Sequence, residues 1–176
     1  MKMKKWLAAL CGAAALVTAA GTANARERGL LTVSAGVFDL VMHHKQEVEG
    51  GFQYRFAYNL FSDEDGAFRG FHPIVGAFAN TSSAAYGYVG VAAPFSFGDN
   101  RWEFTPSGAV GAYNHGNSLD LGGIFEFRLS LAASYRITRY SRLGIELEHI
   151  SNANTHRINP GTNNALLTWS WIIDGW

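Results

Sequence analysis

Between Phe52 and Leu60 every second residue is apolar: Phe52, Tyr54, Phe56, Tyr58 and Leu60, with Gln53, Arg55, Ala57 and Asn59 between them. The same period of two runs through 125–137. There Phe125, Phe127, Leu129, Leu131, Ala133, Tyr135 and Ile137 alternate with Glu126, Arg128, Ser130, Ala132, Ser134 and Arg136. It returns near the end of the chain with Leu167, Trp169, Trp171 and Ile173 against Thr168 and Ser170. Successive residues of a strand face opposite ways, so each segment predicts a strand with one apolar and one polar face. Eight such strands are predicted, at 30–43, 51–60, 70–80, 84–95, 101–113, 122–137, 140–151 and 164–173. Pro73 and several small residues blur the alternation in the third and fourth.

A soluble sandwich also alternates. Three features favour a membrane barrel instead. The apolar faces are long and rich in aromatics toward the strand ends, as an interfacial girdle requires. The opposite faces carry both signs of charge, in Arg55, Glu103, Glu126, Arg128, Arg136, Glu146 and Glu148. Such charges can pair across a narrow lumen, whereas a soluble core would reject them. The chain also ends in Trp176 directly after a strand, as outer-membrane barrels commonly do. The expected fold is therefore all-β, an eight-stranded antiparallel transmembrane β-barrel of the outer membrane. A barrel of that size is filled by side chains, which argues against a porin.

The N-terminus fits this destination. Lys2, Lys4 and Lys5 precede an apolar run from Trp6 to about Ala20, followed by Ala23-Asn24-Ala25. That is the layout of a secretory signal peptide over residues 1–25, with residues 26–176 as the single barrel domain. The run is shorter than the roughly 20 residues a membrane anchor needs. Cys11, the one cysteine, lies early in the run after Leu10 rather than after a small residue, which argues against lipidation. Cleavage leaves neither a disulfide nor a thiol nucleophile. The chain has 14 basic and 14 acidic residues, and losing three lysines tips it slightly negative, which argues against nucleic acid as a partner.

The candidate chemistry is at the end of the seventh strand. His149 and Ser151 share the face of Leu143, Ile145 and Leu147, so two polar side chains end an otherwise lipid-facing stripe. Polar groups on such a surface are costly and call for a reason. With both termini of the barrel in the periplasm, strand seven ends at the cell surface. The pair then lies at the level of the outer leaflet, where the abundant substrate is lipopolysaccharide. A serine becomes a nucleophile when an imidazole accepts its proton and a third group fixes the imidazole tautomer. Asn152 follows directly, and its side chain or the turn backbone could donate to a developing oxyanion.

His149-Ile150-Ser151-Asn152-Ala153, at the end of the penultimate strand, resembles the signature of the PagL family of outer-membrane lipid A 3-O-deacylases. The resemblance implies hydrolysis of the ester of the 3-linked hydroxyacyl chain of lipid A, with neither metal nor cofactor. It implies Ser151 as nucleophile, His149 as general base and Asn152 as the residue that positions or stabilises the oxyanion. Two departures stand out. The family pattern has a glutamate about fourteen residues after the histidine, a position occupied here by Asn163; Asn154 stands where a glycine often follows Ser-Asn-Ala. An asparagine carbonyl can hold the imidazole but cannot supply negative charge, so a working but slower triad is expected. Asn164 is the alternative for this role. Glu146 and Glu148 have lumen-facing parity and are expected to pair with Arg128 or Arg136.

Other polar residues have plainer readings. His43 and His44 end the first strand facing opposite ways, which is poor geometry for one metal. His115, His156 and Arg157 fall in outer loops, where Arg157 has the charge to meet a lipid A phosphate. Asp63-Glu64-Asp65-Gly66 falls in a periplasmic turn. Trp169 and Trp171 suit contact with membrane lipids or a homodimer. Two other functions fit the same residues: a structural barrel made inert by Asn163, and a lipid acyltransferase.

Overall fold

The computed structural model describes residues 28–41, 46–62 and 66–173. The signal peptide, the His43–His44 pair, the acidic run at 63–65 and Trp176 lie outside the described residues.

Nine strands follow one another: β1 (Gly29–Phe38), β2 (Glu47–Arg55), β3 (His72–Asn80), β4 (Ala85–Ala92), β5 (Phe95–Phe97), β6 (Trp102–Asn114), β7 (Phe125–Arg136), β8 (Ser141–Ser151) and β9 (Thr162–Ile173). Each pairs antiparallel with its sequence neighbour except β4 and β5, which both lie against β6. The break between those two falls at Ala93 and Pro94, and the Ala93 amide still reaches Pro106 O at 2.9 Å. Proline has no amide hydrogen to offer a ladder, so the strand bends there and resumes. β4 and β5 thus form one side of the ring, and β1 pairs with β9 to close it. The result is a closed, eight-stranded antiparallel barrel.

The second strand departs from the sequence expectation: it spans 47–55 instead of 51–60. Gly50 hides its start, because it interrupts the apolar row that Val48 begins. Its end is set by the partner strand. Phe56 N donates to Pro73 O at 3.0 Å, and Pro73 has no hydrogen to return. The chain then leaves the ladder although Phe56 and Tyr58 continue the alternation.

The wall is inverted relative to a soluble protein. Val48, Phe52, Val89, Leu129, Leu131, Ile145, Leu147 and Leu167 are exposed on the outside, as a lipid-facing band requires. Charged groups fill the inside. Arg128 Nε donates to Glu148 Oε2 at 2.6 Å and Arg128 Nη2 to Glu146 Oε1 at 2.7 Å. The same guanidinium lies 4.7 Å from the centroid of the Tyr88 ring. Arg55 Nη1 donates to Glu103 Oε1 at 2.9 Å. Of the two arginines expected to meet Glu146 and Glu148, it is Arg128 that does so. Toward one end the filling turns apolar, with Phe38, Phe78, Tyr86, Tyr113 and Leu121 buried together.

Candidate active site

β8 and β9 are cross-strand neighbours in a register that places His149 opposite Asn163. On the other side, His149 faces Leu129 and Ser151 faces Phe127 of β7. His149 and Ser151 therefore end the outward row of Leu143, Ile145 and Leu147, as the alternation requires. His149 is exposed and Ser151 half-buried.

His149 Nδ1 lies 3.0 Å from Asn163 Oδ1. An amide oxygen only accepts, so the imidazole donates through Nδ1 and keeps its lone pair on Nε2. The loop before β9 fits against this ring. At Gly161, with φ of 64°, a Cβ would come within 3.0 Å of His149 Cε1. A side chain there would strain the backbone and push on the imidazole. Among the described residues, Ser151 Oγ makes no hydrogen bond to His149. The two are i and i+2 on one strand, and contacts of this kind often tighten only with substrate in place.

Asn164 takes the opposite direction and is nearly fully buried. Its Nδ2 donates to Glu49 Oε2 at 2.9 Å and to Glu148 Oε1 at 2.7 Å. Its Oδ1 accepts from Thr162 Oγ1 at 2.9 Å and from Asp39 N at 3.0 Å. Asn163, and not Asn164, is thus the residue beside His149.

Asn152 is 0% exposed and points inward. Its Nδ2 donates to Leu121 O at 2.7 Å and to Ile158 O at 2.8 Å, while its backbone N–H donates to Asn159 Oδ1 at 3.0 Å. All its donors are committed to tying down the turn after β8. In this geometry Asn152 positions the turn and has no proton left for an oxyanion. The next two amides, those of Ala153 and Asn154, donate no hydrogen bond among the described residues, and both residues are left-handed with φ of 51° and 61°. That conformation explains why glycine suits position 154, and asparagine is among the few other residues that adopt it readily. Asn159 Nδ2 braces the turn from the far side by donating to Asn154 Oδ1 at 3.3 Å. Asn159 and Gly161 are the neighbours that the alternation did not reveal, because they lie in a loop where parity carries no information. The one sequence signal for them is the Asn159-Pro160-Gly161 turn itself.

Asn152→Ala is expected to loosen this turn, since the carbonyls of Leu121 and Ile158 lose their donor. A loss of about 2 kcal/mol should appear as an earlier urea unfolding midpoint. Limited proteolysis should cut 153–160 faster than in the wild type.

His156 and Arg157 lie exposed in the same turn, with the His156 ring stacked over Gly123, where a Cβ would come within 2.4 Å of His156 Cε1. His115 is exposed on the loop after β6 at the same end of the barrel.

A family model described as lipid A 3-O-deacylase (PagL) matches residues 46–171, from the start of β2 into β9, with the His149–Ser151 strand inside the match. The chain belongs to the lipid A 3-O-deacylase (PagL) family. The barrel is similar to that in a crystal structure of the outer-membrane enzyme PagL, with a TM-score of 0.64 and 13% identity over 80% of this chain and 97% of that one. It is also similar to a designed transmembrane β-barrel, at a TM-score of 0.55 and 13% identity over 84% and 98% of the two chains. A third likeness is to Neisserial surface protein A, at 0.51 and 11% identity over 82% and 94%. No curated protein matches the chain. These likenesses identify the fold as that of outer-membrane β-barrels, and the family match makes this one a PagL-type barrel.

Proposed function

We propose that this barrel removes the 3-O-linked hydroxyacyl chain of lipid A in the outer leaflet, as a serine esterase built from Ser151, His149 and Asn163. The observation that carries this reading is the 3.0 Å contact between His149 Nδ1 and Asn163 Oδ1, on the lipid-facing wall and two residues from a serine on the same face. It leaves Nε2 as the base. Nε2 takes the Ser151 Oγ proton as Oγ bonds to the ester carbonyl carbon. The tetrahedral intermediate collapses by breaking the bond to the sugar 3-oxygen, which receives the proton from His149. Water then attacks the acyl-serine through the same base and releases the fatty acid. The amides of Ala153 and Asn154 are the free donors nearest in the chain for the oxyanion. Arg157 supplies a guanidinium for a lipid A phosphate.

The test is mass spectrometry of lipid A from outer membranes with and without this chain. The expected result is loss of one hydroxyacyl mass. No change under any lipid condition would leave a structural barrel, and a mass gain would indicate acyl transfer.

Asn163 separates two parts of a triad that usually come together. Its carbonyl fixes the tautomer, but a neutral acceptor stabilises the imidazolium less than a carboxylate does. Hydrogen bonds to an ionised partner are about twice as strong as neutral ones, a difference of about 1–1.5 kcal/mol. Asn163→Glu is therefore expected to raise kcat about tenfold, measured on purified protein with lipid A in detergent. An unchanged kcat would detach residue 163 from the reaction.

A further inference from the structure

The end of the barrel opposite His149 is rich in arginine. Seven residues back along β8 from His149, about 23 Å at strand rise, Arg142 faces Arg136 as its cross-strand partner. Arg136 N donates to Arg101 O at 2.8 Å. Arg142 reaches the same turn through Nη1 to Asn100 O at 3.4 Å and Nη2 to Arg101 O at 3.3 Å, while its Nε donates to Ser134 Oγ at 2.9 Å. The β7–β8 turn adds Arg139, whose guanidinium lies 4.5 Å from the Tyr140 ring centroid. Four arginines thus lie on or beside two adjacent turns.

Glu103, the buried acid on this side, is held by Arg55 at 2.9 Å and also attracts Arg142. Asp99, on the same turn as Arg101, forms no ion pair among the described residues. Arg136 and Arg142 are turned toward the barrel interior, but Arg101 and Arg139 are exposed.

The two exposed arginines are each followed in sequence by an exposed aromatic, Trp102 and Tyr140. Trp102 packs edge-on against Tyr135 at 4.9 Å, and the Tyr140 carbonyl holds Ile172 N at 2.8 Å, beside exposed Trp171. Exposed Trp and Tyr of this kind mark the level where hydrocarbon meets headgroups. Above them the wall continues through Leu143 and Ile145, which offers acyl chains an apolar surface.

We infer that Arg101 and Arg139 bind the phosphodiester of an anionic phospholipid headgroup. Guanidinium forks match phosphate oxygens in geometry as well as charge. The aromatic flank and the apolar wall favour a lipid over free phosphate. With the candidate site facing outward, this rim meets the inner leaflet. The inference does not depend on the chemistry at Ser151.

The test is native mass spectrometry of the purified barrel in neutral detergent, with phosphatidylglycerol, phosphatidylcholine and inorganic phosphate as probes. Wild type should retain phosphatidylglycerol in preference to phosphatidylcholine. Arg101→Gln with Arg139→Gln should lower that preference on the order of thirtyfold, the effect of two basic residues near an anionic surface. Arg101→Lys with Arg139→Lys should keep most of it. Deacylation in detergent should be unchanged in the glutamine variant, and heat-modifiable gel mobility should show it folded. Equal retention of the two lipids by wild type, or an unchanged preference in the folded glutamine variant, would overturn the inference. So would displacement of phosphatidylglycerol by millimolar inorganic phosphate.

Discussion

Ser151→Ala is expected to leave lipid A at its full acyl mass in cells where the wild-type chain shortens it. The substitution removes the atom that would form the acyl-enzyme, and a triad without its nucleophile typically loses at least about 10³-fold in turnover. The barrel itself should be indifferent. Ser151 is the last residue of β8, half-buried, and its hydroxyl makes no side-chain hydrogen bond among the described residues. Gel mobility and unfolding midpoint should match wild type, which separates loss of chemistry from loss of fold. His149→Ala should behave in the same way. If Ser151→Ala still deacylates in a purified assay, the nucleophile is not Ser151, and direct attack by a water activated at His149 becomes the mechanism to examine.

Arg128→Met is expected to cost about 3–5 kcal/mol, the range for a buried ion pair that loses one partner. Arg128 holds Glu146 and Glu148 directly, and Asn164 links Glu148 to Glu49. Without the guanidinium, Glu146 and Glu148 are left facing each other beside Glu49, with no other cation bonded to them among the described residues. Urea unfolding followed by tryptophan fluorescence, in detergent or vesicles, should show the shift. Converting Glu146 and Glu148 to glutamine in the same variant should recover much of the loss, because neutral amides remove the repulsion. A bystander arginine would predict a small effect and no recovery. The network also backs the candidate site: Glu148 precedes His149, and Asn164 follows Asn163. Turnover of Arg128→Met should therefore fall together with its stability.

The period of two made much of this legible. It assigned Leu143, Ile145, Leu147, His149 and Ser151 to one face, and Glu146 and Glu148 to the other. Counting fourteen residues from His149 without gaps reached Asn163, and the hairpin register places those two opposite each other. What parity could not carry was set by particular contacts. Pro73 ends β2 early by withholding a hydrogen from the ladder, although the aromatic pattern runs on through Tyr58. Pro94 bends the fourth side of the barrel into two strands. Asn152 and Asn159 lie at the edge of a turn, where hydrogen-bond commitments depend on carbonyls contributed by Leu121 and Ile158. No local pattern near residue 152 announces them. Parity also favoured Asn163, which shares the face of Ala165, Leu167 and Trp169, over Asn164, which one step along the strand turns to the interior.

His149 and Asn163 occupy one rung between adjacent strands, and that rung has a fixed elevation on the wall. The ladder hydrogen bonds leave the two side chains no freedom to slide relative to each other or to the membrane plane. On the proposed chemistry, choosing among the esters of a lipid A molecule becomes a question of altitude: the chain that is cut is the one whose carbonyl floats at the height of Ser151. Moving the trio two residues along the strands would keep every contact in register and every side chain on the same face. It would still shift the reactive hydroxyl by about 7 Å, enough to present it to a different part of the same lipid.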